Sequence, residues 1–322
     1  MSAAGQVQPK LIIHVGAGSS LKNKGEIEVV RQDLYKFIDV IYGKLLTGTA
    51  ARTAVVLGCQ LLEDDPRFNA GKGSVLQSDG QIRMSASLMD GATQRFSGVI
   101  NVSRVQHPID LANFLQGSAD RVLSDYGSAE LTRELQTPIF DPLIDVRLQE
   151  WEQERLFHFH KTMASVIAEK EPPVDPVDPH ARRGTIGVVA LDTQGQLAVG
   201  TSTGGKGLER IGRVSDSAMP AGNYATTDAA VSCTGIGEDI IDECLAARIV
   251  VRVTDGLSLQ TTFERSFTEA DRNNRDLGAI AIDKTGAIAW GKTSEVLLAA
   301  YHDGGQISDT LEVGPGTKTA VC

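Results

Sequence analysis

Apolar residues along the chain recur with two distinct spacings. In residues 26–46, Ile27, Val30, Leu34, Phe37, Ile41 and Leu45 fall three or four apart, and 51–62 repeats that pattern. This spacing lines one face of an α-helix. It also predicts helices over 109–115, 144–167, 238–253 and 257–270. Shorter apolar runs predict strands: LIIHV at 11–15, ahead of the turn GAGSS, and 98–103. TIGVVALDTQGQLAVGTST (185–203) and LGAIAIDKTGAIAWGKTS (277–294) each read as strand, tight turn, strand. Neither alternates polar with apolar, so both are expected to be covered on both faces. Two similar hairpins do not make a repeat protein. The glycine-rich loop RFNAGKGSVL leads into a further hairpin whose turn is SDG at 78–80. Strands in the middle with helices on either side predict a sandwich of three or four layers.

One segment has a different texture. EPPVDPVDPHARRG (171–184) holds four of the eleven prolines and five charged residues. It has little to bury, which favours an extended, solvated linker, set at about 169–184. The 322 residues, 41% of them apolar, suit one large domain or two ordinary ones. A net charge of -10 argues against a general nucleic-acid partner, because nothing broad attracts phosphates. Cys59, Cys233, Cys244 and Cys322 form no CxxC pair and read as reduced thiols of a cytoplasmic protein. No membrane partner is expected, since no run reaches the ~18 apolar residues of a span. MSAAGQVQPK has no apolar signal core. His158 and His160, two apart, fall on different helix faces and make a poor metal pair.

Three stretches carry candidate chemistry. HVGAGSSL imitates a dinucleotide-binding loop, but its third glycine is Leu21; TGIGEDI fails in the same way at Ile240. GTSTG at 200–204 matches the elbow of serine hydrolases with Ser202 as nucleophile. The elbow needs a helix directly after the serine, and GGKGLERIG is a poor helix start. The third is Thr185. If the Gly184–Thr185 bond is cut, Thr185 holds both a hydroxyl and a free α-amino group. With a reference pKa of ~7.7–8.0, that amine can take the proton from its own hydroxyl. Gly184, without a Cβ, lets the backbone bend toward the threonine oxygen. On the dipeptide alone, Gly-Thr before a strand reads equally as ordinary structure.

RRGTIGVVALD, GTSTGG, GRVSDS and AVSCTGIGED follow one another in this order, with LLEDDPRFNAGKGSV and SLMDG upstream. From about Leu11 to past Ala289 the chain resembles plant-type L-asparaginases, also called isoaspartyl peptidases, which are N-terminal-nucleophile hydrolases. The resemblance implies an α+β fold, a four-layer αββα sandwich. It implies one folded domain cut into 1–184 and 185–322 and paired as a dimer of heterodimers. It implies Thr185 as nucleophile, with the Thr203 hydroxyl tuning it, and Thr234 and Gly235 as oxyanion donors. Arg213 and Asp216 would hold the α-carboxylate and α-ammonium of a small aspartyl substrate, and Asn69, near the nucleophile, would join them with Thr234 and Gly235 in binding it. The loop from Leu62 to Lys72, through the main chain of Leu62, Glu63, Asp65, Phe68, Ala70 and Lys72, would wrap a structural sodium ion, with no cofactor required. Read from the residues alone, Thr203 could equally be a structural strand-end threonine, and Arg213 with Asp216 a surface ion pair.

Two positions depart from the family's usual pattern. Val15 stands in HVGAG where the family has a second glycine, and Ser85 in MSASLMDG where aspartate is favoured. A β-branched residue beside the cleavage site predicts slow or incomplete self-cleavage. The expected activity is hydrolysis of L-asparagine and β-aspartyl dipeptides. The alternatives are an uncleaved, catalytically weak member that binds aspartyl ligands, and a serine hydrolase using Ser202.

Overall fold

A computed structural model of the chain describes residues 7–18, 24–164 and 184–322. Of the predicted linker, only Gly184 falls among them. The first half contains β1 (Lys10–Gly18), α1 (Lys24–Leu46), α2 (Ala51–Glu63), β2 (Met84–Asp90), β3 (Arg95–Val102), α3 (Pro108–Leu115), β4 (Val122–Ser124), α4 (Asp125–Glu134) and α5 (Asp145–Ala164). From Gly184 onward come β5 (Ile186–Leu191), β6 (Leu197–Thr203), β7 (Asn223–Ala225), β8 (Ala229–Gly235), α6 (Gly237–Glu243), α7 (Leu245–Thr254) and α8 (Leu259–Arg272). They are followed by β9 (Leu277–Asp283), β10 (Ile288–Lys292), β11 (Val296–His302), β12 (Ile307–Asp309) and β13 (Lys318–Val321).

The strands form two sheets. One runs β12-β11-β1-β5-β6-β2-β3-β4, antiparallel except where β3 meets β4; the other runs β13-β10-β9-β8-β7. Side-chain parity explains why their sequences lack alternation. In β5, Ile186, Val188 and Ala190 face α1 and α2 beside Leu34, Ile38, Ile41, Val55 and Cys59. Val189 and Leu191 point the other way, to Ala230, Ile280, Ile282 and Trp290 of the second sheet. In β9, Leu277, Ala279 and Ala281 meet Ile249, Val250, Phe263 and Phe267 of α7 and α8. Both faces of these strands are therefore apolar. The chain is a mixed fold of helices and sheets.

Three predicted elements differ. The hairpin after the glycine-rich loop turns at 91–94, between β2 and β3, not at SDG. The helix predicted over 238–253 is two helices. Cys244 takes a left-handed conformation, φ 46°, and its backbone N–H donates to Ile240 and Ile241 carbonyls, closing α6 before α7 starts. The helix predicted over 144–167 is α5, described to residue 164. Among the described residues, no helix is long and apolar enough to cross a membrane.

Candidate active site

β5 and β6 pair antiparallel with Ile186 opposite Ser202, so Thr185 and Thr203 meet at the open end of the pair. The Thr185 hydroxyl donates to Thr203 Oγ1 at 3.1 Å. Thr203 is buried, and its Oγ1 also accepts the Gly205 N–H at 3.2 Å. Asn69 fastens the same corner from the side. Its Nδ2 donates to the Gly205 carbonyl, its Oδ1 accepts the Val75 N–H, and its carbonyl accepts the Gly204 N–H. Asn69 therefore shapes the glycine turn behind Thr203. Gly184 lies against it: a Cβ there would stand 3.2 Å from the Asn69 nitrogen and 3.3 Å from the Val15 carbonyl. The Val15 side chain points away, into the core shared with Leu11 and Ile13.

Strand parity separates Ser202 from this corner. Ser202 is fully buried on the opposite face of β6 and donates to Glu63 Oε1 at 2.6 Å. Burial pushes the Glu63 carboxyl well above its ordinary range. The serine-elbow reading has no exposed nucleophile. On the face that Thr185 shares, Gly187 makes room for a buried hydroxyl chain. Thr201 Oγ1 contacts Ser232 Oγ at 2.7 Å, which contacts His14 Nε2 at 2.8 Å. A Cβ on Gly187 would stand 2.1 Å from Ser232 Oγ. Burial pushes His14 down to about 3, so the ring is neutral at physiological pH. The Thr185 main chain lies beside it, but Nδ1 has no partner that meets hydrogen-bond geometry.

Thr185 opens onto a cleft of about 70 Å³ whose walls include Gly205, Lys206, Arg213, Asp216, Gly235 and Glu238. A larger cavity of about 490 Å³, lined by Ile27, Arg31, Leu311 and Val313, holds none of the predicted site residues. Asp216 is buried on a short 3-10 turn (Asp216–Ala218). Its Oδ1 accepts from Ser215 Oγ, and its Oδ2 is buried without a partner. Burial raises Asp216 to about 6, against the opposing pull of Arg213. Arg213 and Asp216 are not an exposed ion pair. The Arg213 fork donates to Glu238, Nε to Oε1 and Nη2 to Oε2, both at 3.2 Å, and Lys206 Nζ reaches Oε1 at 3.0 Å. Burial works to raise Glu238, but Arg213 and Lys206 outweigh it and hold the carboxylate near 2. Gly237 keeps the passage between the two head groups open: a Cβ there would stand 2.5 Å from Arg213 Nη2 and 2.7 Å from Asp216 Oδ1.

β8 ends beside the cleft. Thr234 Oγ1 is buried and has no hydrogen-bond partner. Gly235, at φ 124°, turns the chain toward α6. Ser85, across from Thr203 on β2, accepts the Asn101 N–H; Asn101 in turn donates to the Arg213 carbonyl. Ser85 thus braces the loop that carries Arg213.

The sequence model of the family described as Asparaginase matches residues 7–312. This chain belongs to the asparaginase family. The isoaspartyl peptidase/L-asparaginase of a Nostoc species is 70% identical over 97% of this chain and 98% of its own length. That of Synechocystis is 63% identical over 96% and 92%. The human isoaspartyl peptidase/L-asparaginase is 33% identical over 92% and 94%.

Within this asparaginase-family chain, no group of three or more His, Cys, Asp or Glu among the described residues could hold a metal ion. The 62–72 loop offers main-chain oxygens instead. The Glu63 carbonyl turns toward Gly71, and the Pro66 and Phe68 carbonyls toward Gly73, each within 3 Å of where a Cβ would stand. Main-chain carbonyls are the oxygen type a hard cation takes; here the Glu63 carbonyl also accepts the Lys72 N–H and the Asp65 carbonyl the Phe68 N–H. Thr185, Thr203, Asn69, Arg213, Asp216 and Gly235 converge on one corner, with Thr234 just behind it. Sequence reasoning missed Lys206, Glu238 and the His14–Ser232–Thr201 chain. Arg213 and Glu238 lie 25 positions apart on different elements, and no local pattern pairs them.

Proposed function

We propose that the chain is a self-processing threonine amidohydrolase that cleaves L-asparagine and β-aspartyl dipeptides. The bond between Gly184 and Thr185 breaks, which frees the Thr185 amine. Arg213 grips the substrate α-carboxylate, and Asp216 holds the α-ammonium. The side-chain carbonyl then meets Thr185. Its hydroxyl attacks, and its own amine takes the proton. Thr234 Oγ and the Gly235 N–H receive the oxyanion; one such donor is typically worth ~2.7–4 kcal/mol. The amine returns the proton to the leaving group, releasing ammonia or an amino acid, and water frees aspartate from the ester.

The observation that carries this reading is the Thr185–Thr203 hydroxyl contact at the mouth of a cleft walled by Arg213 and Asp216. The unpartnered Thr234 Oγ1 and Asp216 Oδ2 support it as polar atoms ready for a ligand. The names of the 70% and 63% identical relatives point to the same two substrates. The apolar clusters between helices and sheets support an αββα sandwich of four layers. A sodium ion in the 62–72 loop would stiffen the Asn69 turn; no step of the reaction runs through it. A dimer of cleaved heterodimers in a reducing cytoplasm fits the four free cysteines. The Val15 side chain lies in the core, so its β-branch does not itself reach Gly184; an uncleaved member that binds aspartyl ligands would show as a chain that stays whole.

A denaturing gel of incubated protein tests the proposal. Two fragments should replace the full chain, and Thr185→Ala should stay whole and inactive. Turnover by that variant would refute the mechanism.

A further inference from the structure

Building on this reading of the cleft, we propose that Lys206 determines specificity by binding the free carboxylate of the departing amino acid in β-aspartyl dipeptides. Four charged side chains line the cleft: Arg213, Asp216, Lys206 and Glu238. The aspartyl head uses Arg213 and Asp216, which lie deep; their side chains are 13% exposed and buried, respectively. Lys206 and Glu238 sit at the rim, 47% and 46% exposed. A leaving group attached to the carbonyl at Thr185 must point outward, because it departs to solvent. Lys206 follows directly on the Gly204–Gly205 turn that contacts Thr203, lines the same cleft as Thr185, and holds its ammonium at the rim on Glu238.

Asparagine releases uncharged ammonia and offers the rim nothing to bind. A β-aspartyl dipeptide brings a second carboxylate. When Arg213 takes the α-carboxylate, it no longer needs Glu238, and the Glu238–Lys206 contact at 3.0 Å becomes the resting partner that the incoming carboxylate displaces or shares. An ammonium on a flexible four-carbon stem suits leaving groups of varied size, because it follows the charge rather than the shape.

The test pairs a change in the enzyme with a change in the substrate. kcat/KM is measured for β-aspartyl-leucine and for β-aspartyl-leucine amide, whose terminal carboxylate is gone, with wild type, Lys206→Gln and Lys206→Arg. Wild type should prefer the free acid about tenfold, Lys206→Gln less than twofold, and Lys206→Arg should recover most of the preference. An equal preference in wild type and Lys206→Gln, or none in wild type, overturns the assignment. The ratio cancels general damage to folding, which affects both substrates alike; Lys206→Gln/Glu238→Gln should also stay below twofold, and a recovered preference there would show that an uncovered Glu238, not lost Lys206 binding, caused the change. Failure of the underlying mechanism shows separately, as hydrolysis by Thr185→Ala.

Discussion

Thr203 presents its hydroxyl oxygen to Thr185, the proposed nucleophile, and so favours the rotamer that makes this contact. Thr203→Val keeps the shape and removes the acceptor. It is expected to lower kcat ten- to hundredfold, about 1.4–3 kcal/mol, with little change in KM, read by steady-state ammonia release. Asp216 carries a cost as well as a role. Its buried carboxyl rises from 3.8 to about 6. Between those values the folded chain holds a proton that the unfolded chain has released, so stability falls as pH rises through that window. Near neutral pH the ionised group costs the free enzyme about 3 kcal/mol. Asp216→Asn should therefore melt higher than wild type at pH 7.5, with the gap closing at pH 4. Calorimetry should show wild-type affinity for aspartate falling below about pH 6, and the variant binding weakly throughout. Ser202 gives a control at the same scale. Ser202→Ala should cost about 1–3 kcal/mol in denaturant melts, because Glu63 loses a buried donor, while turnover continues.

At the scale of elements, the antiparallel register does much of the positioning. Ile186 against Ser202 sends Thr185 and Thr203 to one face and Ser202 to the other. This sorting was legible in the residues once strands were assumed, since GTSTG alternates by construction. The partner of each face was not legible. Ser202 meets Glu63 across more than a hundred residues, and Thr201 meets Ser232, which in turn meets His14. Gly187 shows how tight that contact is. Gly187→Ala would force its Cβ against Ser232 and His14, and is expected to cost about 1–3 kcal/mol in denaturant melts. The break between α6 and α7 escaped the periodicity because Ile241, Leu245 and Ile249 keep a helical spacing through a left-handed Cys244. Short edge strands such as β12 and β13 carry too few residues for a pattern.

The whole molecule interleaves the two sides of the Gly184–Thr185 bond. In the larger sheet β1 lies between β11 and β5, and β2 pairs with β6. The core beneath α1 and α2 draws on Leu34 and Val55 from one side, and Val188 and Ala300 from the other. Cleavage should therefore leave one particle: both fragments should co-elute at native size and separate only in denaturant. Helix spacing and the paired hairpins already pointed to strands in the middle with helices on either side. Charge placement in the cleft did not show in the sequence, because Lys206, Arg213, Asp216 and Glu238 come together only through the turns that follow β6 and β8. The central claim is that the Thr185 amine is the base. Timed mass spectrometry of freshly made protein, run beside asparagine hydrolysis, tests it most directly. Activity should rise in step with a fragment that begins at Thr185; full activity from a chain that stays whole would contradict the account.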